Sequence, residues 1–143
     1  MKTFKDYINA DTLDWLHDNN IQYKFVDIKN DKGTLNILYN DKFCLKIYDR
    51  LGHGFSMTIN LADHYDESIY ENDKFNLNWA LKYLKINTTS SFDRRTEIQY
   101  LQNLQYLLND LKNIIPRLNQ LSSTEWNNMK DWISEESKKQ FLL

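Results

Sequence analysis

The stretch F-S-M-T-I-N-L, residues 55–61, alternates strictly between large apolar and small polar side chains. Its large apolar members are Phe55, Met57, Ile59 and Leu61. Successive side chains of a β-strand point to opposite faces, so this period of two predicts a strand with one buried face. A sheet built outward from this strand is therefore the starting point of the predicted fold.

Three upstream runs have the same strand character and are joined by short turns. Residues 21–28 alternate, and the next two runs each place three apolar side chains on one face: Leu35, Ile37 and Tyr39, then Phe43, Leu45 and Ile47. Residues 30–33 have turn chemistry, with Gly33 free to take a positive φ, and residues 40–42 form the next turn. Such short connections favour neighbouring antiparallel strands, which predicts a four-stranded meander.

Helical patterns come before and after the predicted strands in the sequence. Thr3 and Asp11 are predicted N-caps of an N-terminal helical region, which ends at residues 19–20. The later predicted helices are residues 77–84 after the cap Asn76, residues 92–115 with Ile98, Leu101, Leu104, Leu108, Leu111 and Ile115 as apolar stripe, and a helix after the capping box at 122–125. Pro116 is expected to kink or end the long helix. The prediction is one α+β domain, residues 1–143, with the sheet packed by the N-terminal helix and the C-terminal helical segment.

Composition narrows the functional classes. The 143 residues carry a formal net charge of −2, which argues against nucleic acid as the main partner because phosphate binding needs clustered Lys and Arg. A small patch of Trp79, Lys82, Tyr83, Lys85, Arg94 and Arg95 has the ingredients for single strands but lies beside an acidic stretch. No secretory apolar region, membrane-length run or second cysteine beside Cys44 is present, so we expect a cytoplasmic protein that does not enter the membrane.

No catalytic, phosphate-binding or metal-binding motif is found in the sequence, so no catalytic residue, metal ligand or cofactor is predicted. His53 lies between two glycines, and His64 lies between Asp63 and Tyr65. One alternative is therefore a small enzyme that uses His53 and His64 with nearby carboxylates. Another is a regulatory or scaffold protein that self-associates through the 92–115 helix.

The clearest concentration of charge is A-D-H-Y-D-E-S-I-Y-E-N-D, residues 62–73, with five carboxylates and no Lys or Arg. Aromatic anchors beside charged groups are typical of recognition surfaces, because the charges steer a partner and the rings supply buried contacts. The predicted partner-binding residues are Asp63, Tyr65, Asp66, Glu67, Tyr70, Glu71, Asp73 and Trp79. The alternative is a solvated loop whose carboxylates have no partner.

The segments G-H-G-F-S-M-T-I-N-L (52–61) and F-N-L-N-W-A-L-K-Y-L (75–84), with the acidic stretch between them, resemble the small α+β immunity proteins of bacterial polymorphic and contact-dependent toxin systems. The resemblance implies a cytosolic inhibitor that binds a cognate protein toxin domain, often a nuclease with a basic active site. It also implies a mechanism of occlusion, in which carboxylates take the place of substrate phosphates. No residue roles carry over, because the resemblance contains no diagnostic motif.

Overall fold

A five-stranded antiparallel sheet and four α-helices form the structure, a computed structural model that describes residues 2–28, 33–50, 56–68, 75–88 and 96–141. A 3₁₀ turn at Phe4–Tyr7 precedes the first helix. In chain order the elements are α1 (Ala10–Asp18), β1 (Gln22–Ile28), β2 (Gly33–Tyr39), β3 (Cys44–Arg50), β4 (Ser56–Ala62), β5 (Phe75–Asn76), α2 (Leu77–Tyr83), α3 (Glu97–Gln120) and α4 (Ser123–Phe141). The α+β class is confirmed, and none of the described helices is long and apolar enough to span a bilayer.

The strands lie in the order β1-β2-β3-β4-β5, and every neighbouring pair is antiparallel. The predicted meander is therefore present with one strand more than expected. That fifth strand is two residues long and pairs with β4 at Leu61↔Phe75 and Asn60↔Asn76. A two-residue strand is too short to show the alternation from which the other four were predicted.

The main core lies between the helices and one face of the sheet. Met57, Ile59 and Leu61 of β4 point into it beside Leu45 and Ile47 of β3, as their alternation predicts. The helices contribute many further buried side chains, among them Leu16 of α1, Leu77, Ala80 and Leu81 of α2, Leu104, Leu107, Leu111, Ile114, Ile115 and Leu118 of α3, and Met129 and Ile133 of α4. We call this the helix-covered face.

The opposite face of the sheet also buries apolar side chains. Leu35, Ile37 and Cys44 are almost fully buried there, with Val26 and Tyr39 packed against them. We call this the second face. Only one covered face was expected from the sequence, so the protection of this second apolar cluster requires another part of the chain.

Gly33 is needed for a reason other than turn geometry. Its φ lies outside the left-handed region, and it is the first residue of β2. A Cβ placed there would come within 2.9 Å of Cε2 of Tyr48 and 3.1 Å of the Asp49 carbonyl oxygen. The glycine is therefore needed for space against β3, and the positive φ that glycine permits is not used here.

The α1 cap also differs from the prediction. Asn9, rather than Asp11, caps the helix, because its Oδ1 accepts the backbone N–H of Thr12 at 2.9 Å. Thr3 caps the separate 3₁₀ turn as predicted, with Asp6 completing a capping box. The end of α1 at Asn19 is confirmed, and Asn20 follows it at φ 60°.

Helix α3 continues past Pro116 to Gln120, so of the two predicted effects of the proline the end of the helix is wrong, and the kink stays a prediction. A proline inside a helix costs about 3 kcal/mol. Beyond it, however, Leu118 is buried in the core, which contributes about 1.5–3 kcal/mol. The Asn119 carbonyl also accepts Lys42 Nζ at 2.6 Å. Tertiary contacts of the last turn thus offset the local cost of the proline.

The apolar stripe of α3 is shifted relative to the prediction at its start. Ile98 is 72% exposed, and Tyr100 takes the buried position in that turn. Leu104, Leu111 and Ile115 are buried as predicted, whereas Leu101 and Leu108 are half-buried. The capping box before α4 is confirmed: Ser122 Oγ accepts the Glu125 N–H, and Glu125 Oε1 accepts the Ser122 N–H, each at 3.1 Å.

Asp49 of β3 is a buried carboxylate on the helix-covered face. It accepts the backbone N–H of Phe4 at 3.1 Å and the hydroxyl of Tyr100 on α3. Burial raises the pKa of the Asp49 carboxyl, although these hydrogen bonds oppose the shift. One side chain therefore joins the N-terminal turn, the central strand and the long helix.

Substitution Asp49→Asn should change the pH dependence of folding. The unfolded state releases the Asp49 proton near the ordinary aspartate pKa of about 3.9, whereas the native state keeps it to higher pH. Native Asp49 therefore contributes stability that falls as pH rises through this window. Urea unfolding from pH 3 to 7 measures the free energy of unfolding of both proteins. The asparagine variant should be less stable than the parent by the largest amount at low pH, and this gap in stability should narrow as pH rises. A gap that widens with pH would contradict this assignment.

The end of α2 offers a stabilising substitution. Lys85 lies at φ 58° and is exposed, while the Ile86 N–H closes the helix on the Leu81 carbonyl at 2.9 Å. An L-residue in this conformation costs about 1 kcal/mol, which glycine avoids. Lys85→Gly should raise the free energy of unfolding by up to about 1 kcal/mol and Tm by roughly 2–4 °C. The control Lys112→Gly, at an exposed position inside α3, should lose about 1 kcal/mol, and equal effects of both substitutions would refute the cap argument.

Candidate partner-binding site

Residues 63–68, the described part of the acidic stretch, fold back over the second face of the sheet. We call them the acidic segment. Ser68 accepts Lys46 Nζ of β3 at 2.6 Å through its carbonyl oxygen, and Glu67 accepts Lys24 Nζ of β1. The ring of Tyr65 lies 4.3 Å from that of Tyr39, centroid to centroid. The segment is therefore held to three strands, β1, β2 and β3.

Asp63 ties the start of the segment to helix α4. Its Oδ2 accepts Lys130 Nζ at 2.6 Å, and its Oδ1 lies 2.8 Å from His64 Nδ1. The hydrogen bond from Lys130, with the smaller contribution of His64, lowers the pKa of the Asp63 carboxyl. Asp63 therefore stays ionised under a partly buried salt bridge, and much of its charge is used inside the molecule.

Glu67 has a similar internal partner. The hydrogen bond from Lys24 lowers the pKa of the Glu67 carboxyl, and the Tyr65 hydroxyl adds a second donor at 2.8 Å. Both side chains of the Lys24–Glu67 pair are close to half exposed, so the pair orders the segment more than it stabilises the fold. Asp66 closes a tight turn, because its Oδ1 accepts the Ser68 N–H at 2.7 Å.

Among the predicted partner-binding residues, Asp63, Tyr65, Asp66 and Glu67 lie together in the acidic segment. Tyr65 is 38% exposed, which makes it the most accessible aromatic ring of the segment. Tyr70, Glu71 and Asp73 lie outside the described residues, as does His53 of the enzyme alternative.

Trp79 has a different environment from the acidic segment. Its ring meets Trp132 of α4 edge-on at 6.3 Å, and Lys82 Nζ lies 5.5 Å from its centre. Tyr83 also packs on Trp132, at 5.4 Å. The two rings that a nucleic-acid surface on α2 would use for stacking therefore contribute to the packing of α2 on α4.

Three grooves surround the turn between β2 and β3 at one end of the sheet. The first, about 430 Å³, lies between that turn and the start of α4, and its lining includes Asp41, Asp63 and Trp126. The second, about 450 Å³, has Asp41, Tyr39 and Tyr65 in its wall. The third, about 360 Å³, lies between the ends of α1 and α3 and includes Asp18. We call this region the turn end; the acidic segment forms part of two of its grooves.

Asn119 of α3 holds the turn end together. Its Oδ1 accepts Asn40 Nδ2 at 2.8 Å, and its Nδ2 donates to the Asn19 carbonyl at 2.7 Å. Its own carbonyl accepts Lys42 Nζ. One residue thus joins the end of α1, the β2–β3 turn and the last turn of α3. The grooves are therefore cut into a cross-linked frame.

Sequence reasoning missed Asp18 and Asp41 as parts of this site. Both are exposed, and within the described ranges neither carboxylate has a hydrogen bond or ion pair. Their only sequence signal is a position beside a helix end and in a predicted turn, which is common for surface aspartates. The proximity of Asp41 to the acidic segment is a product of the meander, which brings the β2–β3 turn to the end of β4.

The described groups around the turn end bear on metal, phosphate and imidazole chemistry. In the part of the chain that the structure describes, no group of three His, Cys, Asp or Glu side chains is placed to hold a metal ion. At the start of α4, beside the 430 Å³ groove, the capping box occupies the Glu125 amide and brings the Glu125 carboxylate to Ser122, where its charge opposes a phosphate. His64 is exposed and bonded to Asp63, the one carboxylate that also pairs with Lys130.

No protein-family model matches the chain, and no curated protein or solved structure matches it either.

Removal of the Asp63 carboxylate should test the bond that ties the segment to α4. The lowered pKa means that Asp63 contributes stability above its ordinary pKa of about 3.9 and loses it as pH falls through the folded value. Asp63→Asn should therefore lower the free energy of unfolding by less than about 1 kcal/mol at pH 7, with the gap closing in acid. Chemical denaturation of the parent and the variant at pH 7 and pH 3 measures the loss of stability at neutral pH and its disappearance in acid.

Two comparisons make this result specific. Lys130→Met should reproduce the loss at pH 7, and the double variant should lose little more than either single one. Asp131→Asn alters a neighbouring exposed carboxylate of α4 and should have no measurable effect. Additive losses in the double variant would rule out a direct Asp63–Lys130 interaction.

Proposed function

We propose that this protein is a protein-binding inhibitor, an immunity protein of the bacterial cytoplasm that neutralises a cognate toxin domain by covering its active site. The observation that carries the proposal is the anchoring of the acidic segment. Lys24, Lys46 and Lys130 each hold one of its residues in place. The described residues of this segment therefore have a defined conformation beside two of the grooves at the turn end.

Anchoring matters because association must offset the entropy of every group that it orders. A loop fixed by its own molecule has already lost that freedom on folding, so less binding energy is spent on ordering it. Tyr65 is a suitable anchor: its ring is supported by Tyr39 from behind and its hydroxyl is oriented by Glu67. A supported, half-exposed tyrosine has the character of an interface hot spot.

Charge supplies the complementary half of the proposal. Asp18 and Asp41 add free carboxylates to the turn end, where the acidic segment already contributes Asp63. A concentrated negative potential of this kind increases the encounter rate with a basic surface. A nuclease toxin has such a surface where it binds phosphates, so carboxylates of the inhibitor would occupy the same positions as the substrate's anionic groups.

The scaffold alternative receives less support from the environment of α3. Its discriminating feature is an exposed apolar stripe, whereas most of the stripe packs on the sheet. Ile98 and Tyr106 are the large apolar side chains of α3 that are well exposed among the described residues. Self-association through α3 is therefore not favoured over inhibition by these observations.

Charge reversal in the acidic stretch should weaken toxin binding far more than folding. We expect the triple variant Asp66→Lys, Glu67→Lys, Glu71→Lys to lose at least tenfold in affinity, because attractive charges at the interface become repulsive. Because both side chains of the Lys24–Glu67 pair are close to half exposed, its loss should leave the free energy of unfolding nearly unchanged. Calorimetric titration against the toxin domain encoded by the neighbouring reading frame, together with rescue of growth on co-expression, measures binding and function.

The matched control reverses three exposed carboxylates elsewhere, Asp14, Asp131 and Glu135. It changes the net charge by the same amount, so a difference between the two triple variants reports position rather than total charge. Equal affinities of the two variants would refute recognition through the acidic stretch. A neighbouring operon of metabolic enzymes without a toxin domain would refute the immunity assignment.

A further inference from the structure

The groove of about 450 Å³ at the turn end has an unusual lining for a surface with mixed charge. It is lined by Asn20, Gln22, Tyr39, Asn40, Asp41 and Tyr65. The set contains one carboxylate, two aromatic rings and three amides, but no Lys, Arg or His. Its volume lies within the range of about 300–1,000 Å³ of ligand pockets. Such a lining attracts a cation and offers it hydrogen-bond acceptors.

The tyrosine pair forms the apolar wall of this groove. Tyr39 lies at the end of β2 opposite Gln22 of β1, so both side chains are on the second face. Tyr65 packs over Tyr39 with an angle of 41° between the ring planes. The Tyr65 hydroxyl donates to Glu67, which increases the negative character of the ring. Both features favour a cation placed against the rings.

The protein's own cations near this groove are engaged elsewhere. Lys24 contacts the Tyr65 hydroxyl, but its charge is balanced by its bond to Glu67. Lys42 reaches away from the groove to the Asn119 carbonyl. Asp41 has no ion pair or hydrogen bond from any residue that the structure describes. The groove therefore keeps a net negative charge.

Guanidinium matches this lining better than ammonium. A planar guanidinium stacks on aromatic rings, is weakly hydrated and donates five hydrogen bonds in a fixed fork, whereas an ammonium is a compact and strongly hydrated charge. The side chains of Asn20 and Gln22 make no hydrogen bond within the described ranges, which leaves their amide oxygens available to accept. Asp41 would accept the remaining donors.

We propose that the groove between Tyr39, Tyr65 and Asp41 is a receptor for an arginine side chain of a partner protein. The inference rests on the proposed function for the identity of that partner as a toxin, and it names the first contact of the complex. An arginine from the toxin's basic cleft stacks on the tyrosine pair and pairs with Asp41. This position would remove from the toxin a cation that its substrate needs.

The test uses N-acetyl-arginine-amide as the probe and the full chain labelled with ¹⁵N. Titration into the tens of millimolar should give saturable chemical-shift changes concentrated at residues 20–22, 39–41 and 65. N-acetyl-citrulline-amide, which has the same shape without the charge, should give no saturable change there. Equal responses to the two probes, or arginine-dependent changes confined to other surfaces, would overturn the proposal.

Variants of the lining add a second readout. Asp41→Asn and Tyr65→Leu should each weaken the binding of N-acetyl-arginine-amide roughly two- to fivefold, since an exposed ion pair and an exposed cation–π contact are of that strength. Asp131→Asn is the matched control and should leave the affinity unchanged. Thermal melts of each variant establish that the fold persists, and undiminished binding by both folded lining variants would refute the assignment.

Failure of this inference is distinct from failure of the proposed function. If the arginine and citrulline probes give the same response while the acidic triple variant loses toxin binding, the inhibitor function is supported and the arginine receptor is refuted. If the groove binds the arginine probe selectively while the triple variant keeps its toxin affinity, the arginine receptor is supported and recognition of the toxin through the acidic stretch is refuted.

Discussion

Burial of the central strand β3 on both faces is the constraint on which the rest of the structure depends. Its Lys46 and Asp49 are 2% and 1% exposed, and a charge removed from water needs a partner. Asp49 finds its donors in the N-terminal turn and α3, whereas Lys46 finds an acceptor in the acidic segment. Two polar residues of one strand thus determine which part of the chain covers each face.

The acidic segment consequently has a structural role as well as a proposed recognition role. Its position brings backbone carbonyl and carboxylate oxygens to the lysines of β1 and β3, so two of its features, Glu67 and the Ser68 carbonyl, are used in holding the second face closed. Charge counted along the sequence therefore overstates what the segment offers a partner. The free carboxylates Asp18 and Asp41 lie nearby and restore part of that potential.

Local patterns predicted most of the fold because β4 alternates strictly and α4 begins with a clear capping box. The faces of Leu35, Ile37 and Tyr39 and of Met57, Ile59 and Leu61 followed from a period of two. The continuation of α3 beyond Pro116 did not, because it depends on Leu118 and Asn119 meeting distant residues. The grooves could not be predicted from the sequence either. Residues from α1, the β2–β3 turn and the acidic segment converge there, and no spacing in the sequence indicates that they are close in the fold.

The distribution of shifted pKa values bears on the choice between inhibitor and enzyme. Strongly shifted groups often mark active sites, because catalysis requires tuned acids and bases. Here the pKa of Tyr100 is raised by burial and by Asp49, whose own carboxyl is raised by burial. Both side chains are almost fully enclosed, and neither belongs to the lining of the three grooves at the turn end. A substrate in those grooves would not contact Asp49 or Tyr100. The raised pKa values of these two side chains are therefore explained by their packing. Asp63 and Tyr65 do line the grooves, and their shifts follow from contacts within the molecule. The hydrogen bond from Lys130 lowers the pKa of the Asp63 carboxyl, whereas desolvation and the hydrogen bond to Glu67 raise the pKa of the Tyr65 hydroxyl.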